Sequence, residues 1–168
     1  RQADPRLMAD APPIRSDLKL CVGASSGGHT NELMQLLAHA SWWPRPAVAV
    51  TTLEILRPQF EALGPTTVIG EAHRYKPWAA AGVLIQAFRF AWRERPDVIV
   101  TTGSMPLAMV SIFIKLFGGK VVWIDSVAQM EKLSMSGNLV RRFADRCFAQ
   151  WPSVAAQHES VTYAGELL

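Results

Sequence analysis

The sequence predicts an α/β protein, built on an open Rossmann-like parallel sheet with helices on both faces. Short, continuous apolar runs alternate with longer amphipathic segments along most of the 168 residues. Continuous rather than alternating apolar runs are typical of parallel strands, because both faces of such a sheet are buried. The content of 49% apolar and 18% charged residues is that of an ordered globular chain, and the length predicts a single domain.

The predicted elements are bounded by glycine, by proline and by changes in apolar periodicity. Pro77 suits a first helical turn and Pro96 ends the same helix, while Gly118 and Gly119 end the next one. Residues 1–16 carry three prolines and no periodicity, so a flexible lead-in is expected there and the domain over 17–168. In chain order we expect strand 18–23, helix 30–40, strand 47–52, helix 53–63, strand 66–69, loop 70–76, helix 77–94, strand 97–102, helix 106–117, strand 120–124, loop 125–136, helix 138–145, strand 146–150 and a last strand at 161–163.

Aromatic residues are frequent in the predicted helix 77–94. Phe88 and Trp92 lie four residues apart and are expected in the core, whereas Trp78 and Phe90 are expected to face a membrane or a partner. Arginines beside aromatics are typical of surfaces that contact anionic headgroups, but also of ordinary solvated helix faces. The arginines concerned are Arg89, Arg93, Arg95, Arg141, Arg142 and Arg146.

Composition also bears on partners and compartment. The net charge of +3 comes without dense basic clusters, so no nucleic-acid partner is expected. No apolar stretch reaches the roughly 20 residues that cross a bilayer, and no signal peptide is visible. Cys21 and Cys147 both lie in apolar runs and are expected to be buried thiols of a reducing compartment.

The first strand leads into a glycine loop, Ala24-Ser25-Ser26-Gly27-Gly28-His29-Thr30. The two glycines allow a ligand to approach the backbone closely, and the free N–H groups of the following helix suit a phosphate or pyrophosphate. His29 adds a side chain that titrates near neutral pH. The loop matches neither Gly-x-Gly-x-x-Gly nor a P-loop, so a turn that binds nothing is the alternative.

Two more loops are expected at the same edge of the sheet. Thr102-Gly103-Ser104 follows the fourth predicted strand, and Asp125-Ser126 follows the fifth. Ligands of open α/β sheets bind outside the carboxyl ends of the strands, so the three loops should converge on one crevice.

Several segments, in this order, resemble the amino-terminal half of GT-B glycosyltransferases. The similarity extends over about residues 18–168 and is strongest to split enzymes. These include the membrane-anchoring subunit of the eukaryotic enzyme that adds the second N-acetylglucosamine to dolichol pyrophosphate, and bacterial exopolysaccharide glucuronosyltransferase subunits. The segments are the glycine loop, Val100-Thr101-Thr102-Gly103-Ser104-Met105-Pro106, Trp123-Ile124-Asp125-Ser126-Val127-Ala128-Gln129-Met130, Leu133-Ser134-Met135-Ser136-Gly137 and residues 144–152.

The resemblance implies the acceptor-binding half of a membrane-associated glycosyltransferase. It would extend a polyprenyl-pyrophosphate-linked oligosaccharide from a UDP-sugar, with glucuronic acid the expected sugar, in exopolysaccharide synthesis. The implied partner is a carboxyl-terminal donor-binding GT-B domain or subunit, at the cytoplasmic face of the plasma membrane. No metal or cofactor is expected beyond the UDP-sugar co-substrate. The alternative is a non-catalytic scaffold that recruits the catalytic subunit. A dehydrogenase module is disfavoured, because no acidic residue ends the second predicted strand.

The resemblance also implies roles for individual residues. His29 is the candidate base for the acceptor hydroxyl, and a structural, N-cap-like histidine is the alternative. Asp125 stands where the similar proteins usually carry Glu, and a carboxylate that only binds loop amides is its alternative. The candidate substrate-binding residues are Ser26, Gly27, Gly28, Thr30, Gly103, Ser104, Asp125 and Ser126.

Overall fold

A computed structural model of the chain describes residues 17–40, 43–71 and 77–167. The expected lead-in and most of the expected loop 70–76 lie outside these residues. The described elements are β1 (Leu20–Ala24), α1 (Gly28–His39), β2 (Val48–Thr51), α2 (Arg57–Glu61), β3 (Thr66–Val68), α3 (Pro77–Glu94), β4 (Val98–Thr101), α4 (Met105–Leu116), β5 (Lys120–Ile124), α5 (Met135–Val140), β6 (Arg146–Ala149), α6 (Pro152–Ala155) and β7 (Thr162–Tyr163).

The strands form one parallel sheet in the order β3-β2-β1-β4-β5-β6-β7. The predicted fold class is therefore confirmed. Strand order reverses between β1 and β4, which are direct neighbours paired from Leu20 with Val98 to Gly23 with Thr101. The carboxyl end of such a pair is the topological switch point, where open α/β sheets bind their ligands.

Helices cover both faces of the sheet. One core joins the sheet to α3, α4 and α5 and contains the fully buried Trp123 and Phe90. The other joins it to α1 and α2 through Leu33 and Phe60. Cys21 and Cys147 are buried free thiols, as predicted.

Two predicted helices differ from the observed ones. The fifth helix begins at Met135 rather than 138 and ends at Val140, because the Ser134 hydroxyl accepts a hydrogen bond from the Gly137 amide and caps the start. The predicted helix 53–63 is instead a 3₁₀ turn, Glu54–Leu56, followed by the short α2. The helix α6 was not predicted.

The prediction for the aromatic residues of α3 was wrong for three of them. Phe90 is buried, whereas Phe88 and Trp92 are exposed. The side of α3 that faces the sheet is set by Val83, Ala87, Phe90 and Ala91, which recur every three or four residues. Trp78 is exposed, as expected.

Candidate functional site

The glycine loop leads directly into the N-terminus of α1. Gly27 has φ 77°, and no side chain caps the helix. A Cβ placed on Gly27 would meet nothing within 4 Å, so the space beside the loop is open. The Thr30 hydroxyl donates to the Ser25 carbonyl at 2.6 Å and holds the loop from inside. The free amides and positive end of α1 therefore face an open, anion-favouring space.

A second loop follows β4, and its backbone is strained at Ser104. Gly103 has φ 119° and Ser104 has φ 92°, a left-handed conformation that costs a non-glycine residue about 1–3 kcal/mol. The buried Ser104 hydroxyl has no hydrogen-bond partner in the part of the chain that the structure describes. No side chain caps α4 either. An unsatisfied hydroxyl at a strained, uncapped helix start is typical of a site that a ligand completes.

The ring of His29 joins these two loops. Its Nδ1 lies 2.7 Å from the Thr102 carbonyl oxygen, which can only accept, so Nδ1 carries the hydrogen. In the neutral ring Nε2 then holds the free lone pair. Within the described ranges Nε2 has no hydrogen-bond partner, and His29 is half-buried. The geometry thus leaves the Nε2 lone pair free. The N-cap of α1 is Gly27 rather than His29, but the bond to Thr102 also gives the ring a structural role, so both interpretations of His29 stay open.

Gly103 lies against this ring. A Cβ on Gly103 would lie 3.0 Å from Cε1 and 3.2 Å from Nδ1 of His29. The close approach explains why glycine suits the position, and it limits the directions in which the ring can turn. We call the space between the N-termini of α1 and α4 the crevice.

Glu32, which the sequence analysis did not single out, lies beneath the crevice and is only 3% exposed. Its Oε1 accepts from the Ser126 hydroxyl at 2.9 Å and the Val127 amide at 3.2 Å, and its Oε2 from Gln150 Nε2 at 3.1 Å. Burial raises the pKa of Glu32, and these hydrogen bonds and the nearby His29 oppose that rise without cancelling it. One carboxylate therefore ties α1 to the segments after β5 and β6.

Asp125 is buried and held by its own loop. Its carboxylate accepts from Trp123 Nε1 at 3.2 Å, from the Ser134 amide at 2.7 Å and from the Ser134 hydroxyl. A Cβ on Gly137 would lie 2.5 Å from Asp125 Oδ1, so the loop packs tightly here. These contacts match the alternative of a carboxylate that binds loop groups.

The predicted site residues thus fall into two groups. Ser26, Gly27, Gly28, His29, Gly103 and Ser104 border the crevice, and Ser26 donates to Glu71 Oε1 at 3.2 Å. Thr30, Asp125 and Ser126 are buried, with their polar atoms engaged inside the protein. Substrate binding by either group stays a prediction.

The chain is similar to a known protein family and to curated proteins of that family. A family model described as "Oligosaccharide biosynthesis protein Alg14 like" matches residues 65–167. Two of the similar curated proteins, each named UDP-N-acetylglucosamine transferase subunit ALG14, illustrate the similarity. The Mus musculus protein is 24% identical over 92% of this chain and 85% of its own length. The Candida albicans protein is 27% identical over 90% of this chain and 79% of its own.

Solved structures show the same fold. Acinetobacter baumannii MurG superposes with a TM-score of 0.63 at 14% identity, covering 81% of this chain and 43% of MurG. The UDP-GlcNAc 2-epimerase of Methanocaldococcus jannaschii has a TM-score of 0.62 at 14% identity, covering 89% of this chain and 46% of the epimerase. The chain thus spans less than half of each of these proteins. Among the described residues, no helix is both long and apolar enough to cross a bilayer.

Proposed function

We propose that the chain, which belongs to the Alg14 family of oligosaccharide biosynthesis proteins, is the acceptor-side subunit of a split UDP-sugar glycosyltransferase. In this role it recruits a donor-binding catalytic subunit to a polyprenyl-pyrophosphate-linked acceptor at a membrane. The similar proteins are named as UDP-N-acetylglucosamine transferase subunits. We therefore propose N-acetylglucosamine as the transferred sugar, in place of the glucuronic acid expected from the sequence.

The observation that carries this proposal is the meeting of two uncapped helix starts at the switch point of the sheet. The amides of Gly28 and His29 begin α1, and the unsatisfied Ser104 hydroxyl begins α4. Both helix ends favour negative charge. A pyrophosphate group offers several acceptor oxygens to the free amides at these two helix starts.

A second role, catalysis, is favoured by the geometry of His29. Its Nδ1–H is held by the Thr102 carbonyl, which orients Nε2 as a proton acceptor. In an inverting transfer, the acceptor hydroxyl oxygen bonds to the anomeric carbon as the bond from that carbon to UDP breaks. UDP leaves with the electron pair, and Nε2 takes the hydroxyl proton. The base must reach the hydroxyl within about 2.6–3.2 Å.

The experiment measures transfer of labelled sugar from UDP-N-acetylglucosamine or UDP-glucuronic acid to a polyprenyl-pyrophosphate-linked acceptor. The chain is assayed alone, with the donor-binding subunit, and as His29→Ala with that subunit, while complex formation is followed separately by co-purification. We expect transfer of N-acetylglucosamine only in the reconstituted pair. A folded complex that transfers neither sugar would overturn the proposal.

The His29→Ala variant distinguishes the two roles. If His29 is the base, transfer falls by about 10²–10⁴-fold while the complex still forms. If transfer survives the substitution, the chain is a recruiting scaffold and the base lies in the other subunit.

A further inference from the structure

Helix α3 has two apolar sides, of which the sheet uses only one. Trp78, Ile85 and Trp92 lie on the other side and are 72%, 57% and 54% exposed. They are seven residues apart, so they form one line along the helix, which we call the α3 stripe. The outer side of a helix in a globular protein is normally polar. The α3 stripe therefore indicates a surface built to be covered.

The α3 stripe continues into a cluster of rings at the end of α4. Phe88 lies beside the stripe and packs edge-on against Phe113 and Phe117, with ring centroids 5.4 and 5.8 Å apart. Trp92 contacts Phe117 at 5.4 Å, and the Arg95 guanidinium lies 4.4 Å from the centre of the Trp92 ring. Phe88 and Trp92 are thus held in position by the rings and the guanidinium around them.

The charge around the α3 stripe is positive. Residues 77–95 contain three arginines and one glutamate, and that glutamate, Glu94, is paired with Lys19 and Arg93. Arg89 is exposed beside the stripe. An arginine border selects an anionic surface. It disfavours a second copy of this chain, since a symmetric dimer would place the two arginine borders together.

We propose that the α3 stripe docks on an anionic lipid surface, with α3 lying parallel to the membrane plane. Trp78 and Trp92 are separated by about 21 Å along the helix, and tryptophan favours the interface between headgroups and acyl chains. Because α3 follows β3, its first turn lies at the carboxyl edge of the sheet, as does the crevice. Docking would thus hold the crevice near the headgroups. This inference deepens the proposed function. It rests on the proposed function, because a lipid-linked acceptor is what would bring a membrane near the crevice.

The test is co-sedimentation of the chain with vesicles of phosphatidylcholine, or of phosphatidylcholine mixed equally with phosphatidylglycerol. The unsubstituted chain is expected to bind the mixed vesicles, and less so as salt is raised. The double variant Trp78→Ser/Ile85→Ser should bind them about 30-fold less, since two apolar side chains no longer insert. Arg89→Gln should reduce binding to mixed vesicles about fivefold and leave binding to phosphatidylcholine unchanged.

Ile55→Ser is the matched control. Ile55 is 83% exposed but lies in the 3₁₀ turn before α2, away from α3 in the fold. This variant should bind vesicles as the unsubstituted chain does. The secondary structure and thermal unfolding of each variant are measured alongside, and Trp78→Ser alone replaces the double variant if that one unfolds.

Three results would overturn the proposal: no vesicle binding by the unsubstituted chain, equal binding by the stripe variants, or self-association that those variants abolish. Transfer to a short, water-soluble acceptor analogue is measured in parallel. It should survive the stripe substitutions. Vesicle binding without transfer would refute only the proposed function, whereas transfer without vesicle binding would refute only this inference.

Discussion

Replacing Glu32 by alanine is expected to loosen the three segments that it holds together beneath the crevice. Glu32 is buried and accepts hydrogen bonds from Ser126, Val127 and Gln150. A hydrogen bond to a charged group contributes about 1.5–3 kcal/mol, but donors left behind regain part of this from water or from new partners. The carboxylate also carries a burial cost that the substitution removes. We therefore expect a net loss of about 3 kcal/mol in the free energy of unfolding, a large share of a typical domain's 5–15 kcal/mol.

Glu32→Gln separates the charge from the shape. A glutamine carbonyl can still accept from Ser126 and Val127, but its amide group then faces the amide of Gln150, donor against donor. Near neutral pH we expect the free energy of unfolding to fall by about 1–2 kcal/mol. The cost of burying the charge, which the substitution removes, makes this decrease smaller. Urea unfolding of both variants, with Glu159→Ala as an exposed control, measures these differences.

The pH dependence gives a second readout. Burial raises the pKa of Glu32 in the folded protein above its value in the unfolded chain, about 4.3. The folded state then binds the proton more tightly, so this contribution to stability is complete below that value and is lost as the pH rises through the folded pKa. The difference in stability between the unsubstituted chain and Glu32→Gln should therefore vary with pH in the acidic range. The reasoning would be refuted if the free energies of unfolding of the unsubstituted chain and Glu32→Gln changed in parallel with pH. It would also be refuted if Glu32→Ala unfolded with a free energy within about 0.5 kcal/mol of that of Glu159→Ala.

Two further substitutions test the site, and a third tests an ion pair at the opposite, amino-terminal edge of the sheet. Gly28→Ala should fold normally, since its Cβ would meet only Glu32 Oε1, at 3.8 Å. The exposed Gly82→Ala is its control. A loss of transfer in Gly28→Ala but not in Gly82→Ala would indicate that a ligand approaches the loop closely. Gly103→Ala should reduce stability by more than 1 kcal/mol in urea unfolding and lower transfer, because its Cβ presses on the His29 ring at a positive φ. Burial opposes ionisation of Asp145, but hydrogen bonds from two lysines and a backbone amide outweigh it and bring the pKa to about 2. That stability is present above about pH 4 and lost as the pH falls toward 2, so Asp145→Asn should cost about 1–2 kcal/mol at pH 7, after allowance for solvent screening, and little near pH 2.

The sequence predicted the sheet well because its signals are local. Each strand is a short apolar run with a clear boundary, and the order of strands and helices leaves few topologies. Helix α3 shows where local signals fail. The four-residue spacing of Phe88 and Trp92 places them on the same side of the helix, as observed, but a helix with two apolar sides does not reveal which one meets the sheet.

The candidate site divides in the same way. The glycine loop and His29 could be predicted, because contiguous residues form the strand end, the turn and the helix start. Glu32 could not be, because its partners Ser126 and Gln150 lie 94 and 118 residues further along the chain. The one available signal was a carboxylate directly beside the buried Leu33 in the apolar part of α1.

Because the His29 ring forms no hydrogen bond with this buried network among the described residues, the proposed base test is decisive. Gln150 extends the network, since its amide donates to Glu32 and its carbonyl accepts from the Leu167 amide at 2.7 Å. The ring of His29 takes no part in these hydrogen bonds. The Thr102 hydroxyl bonds to the backbone carbonyl of residue 29, which any substitution keeps. His29→Ala therefore removes one ring hydrogen bond, about 1 kcal/mol, and leaves the support of the crevice in place. A large loss of transfer in a complex that still forms would then measure chemistry at Nε2 rather than collapse of the site.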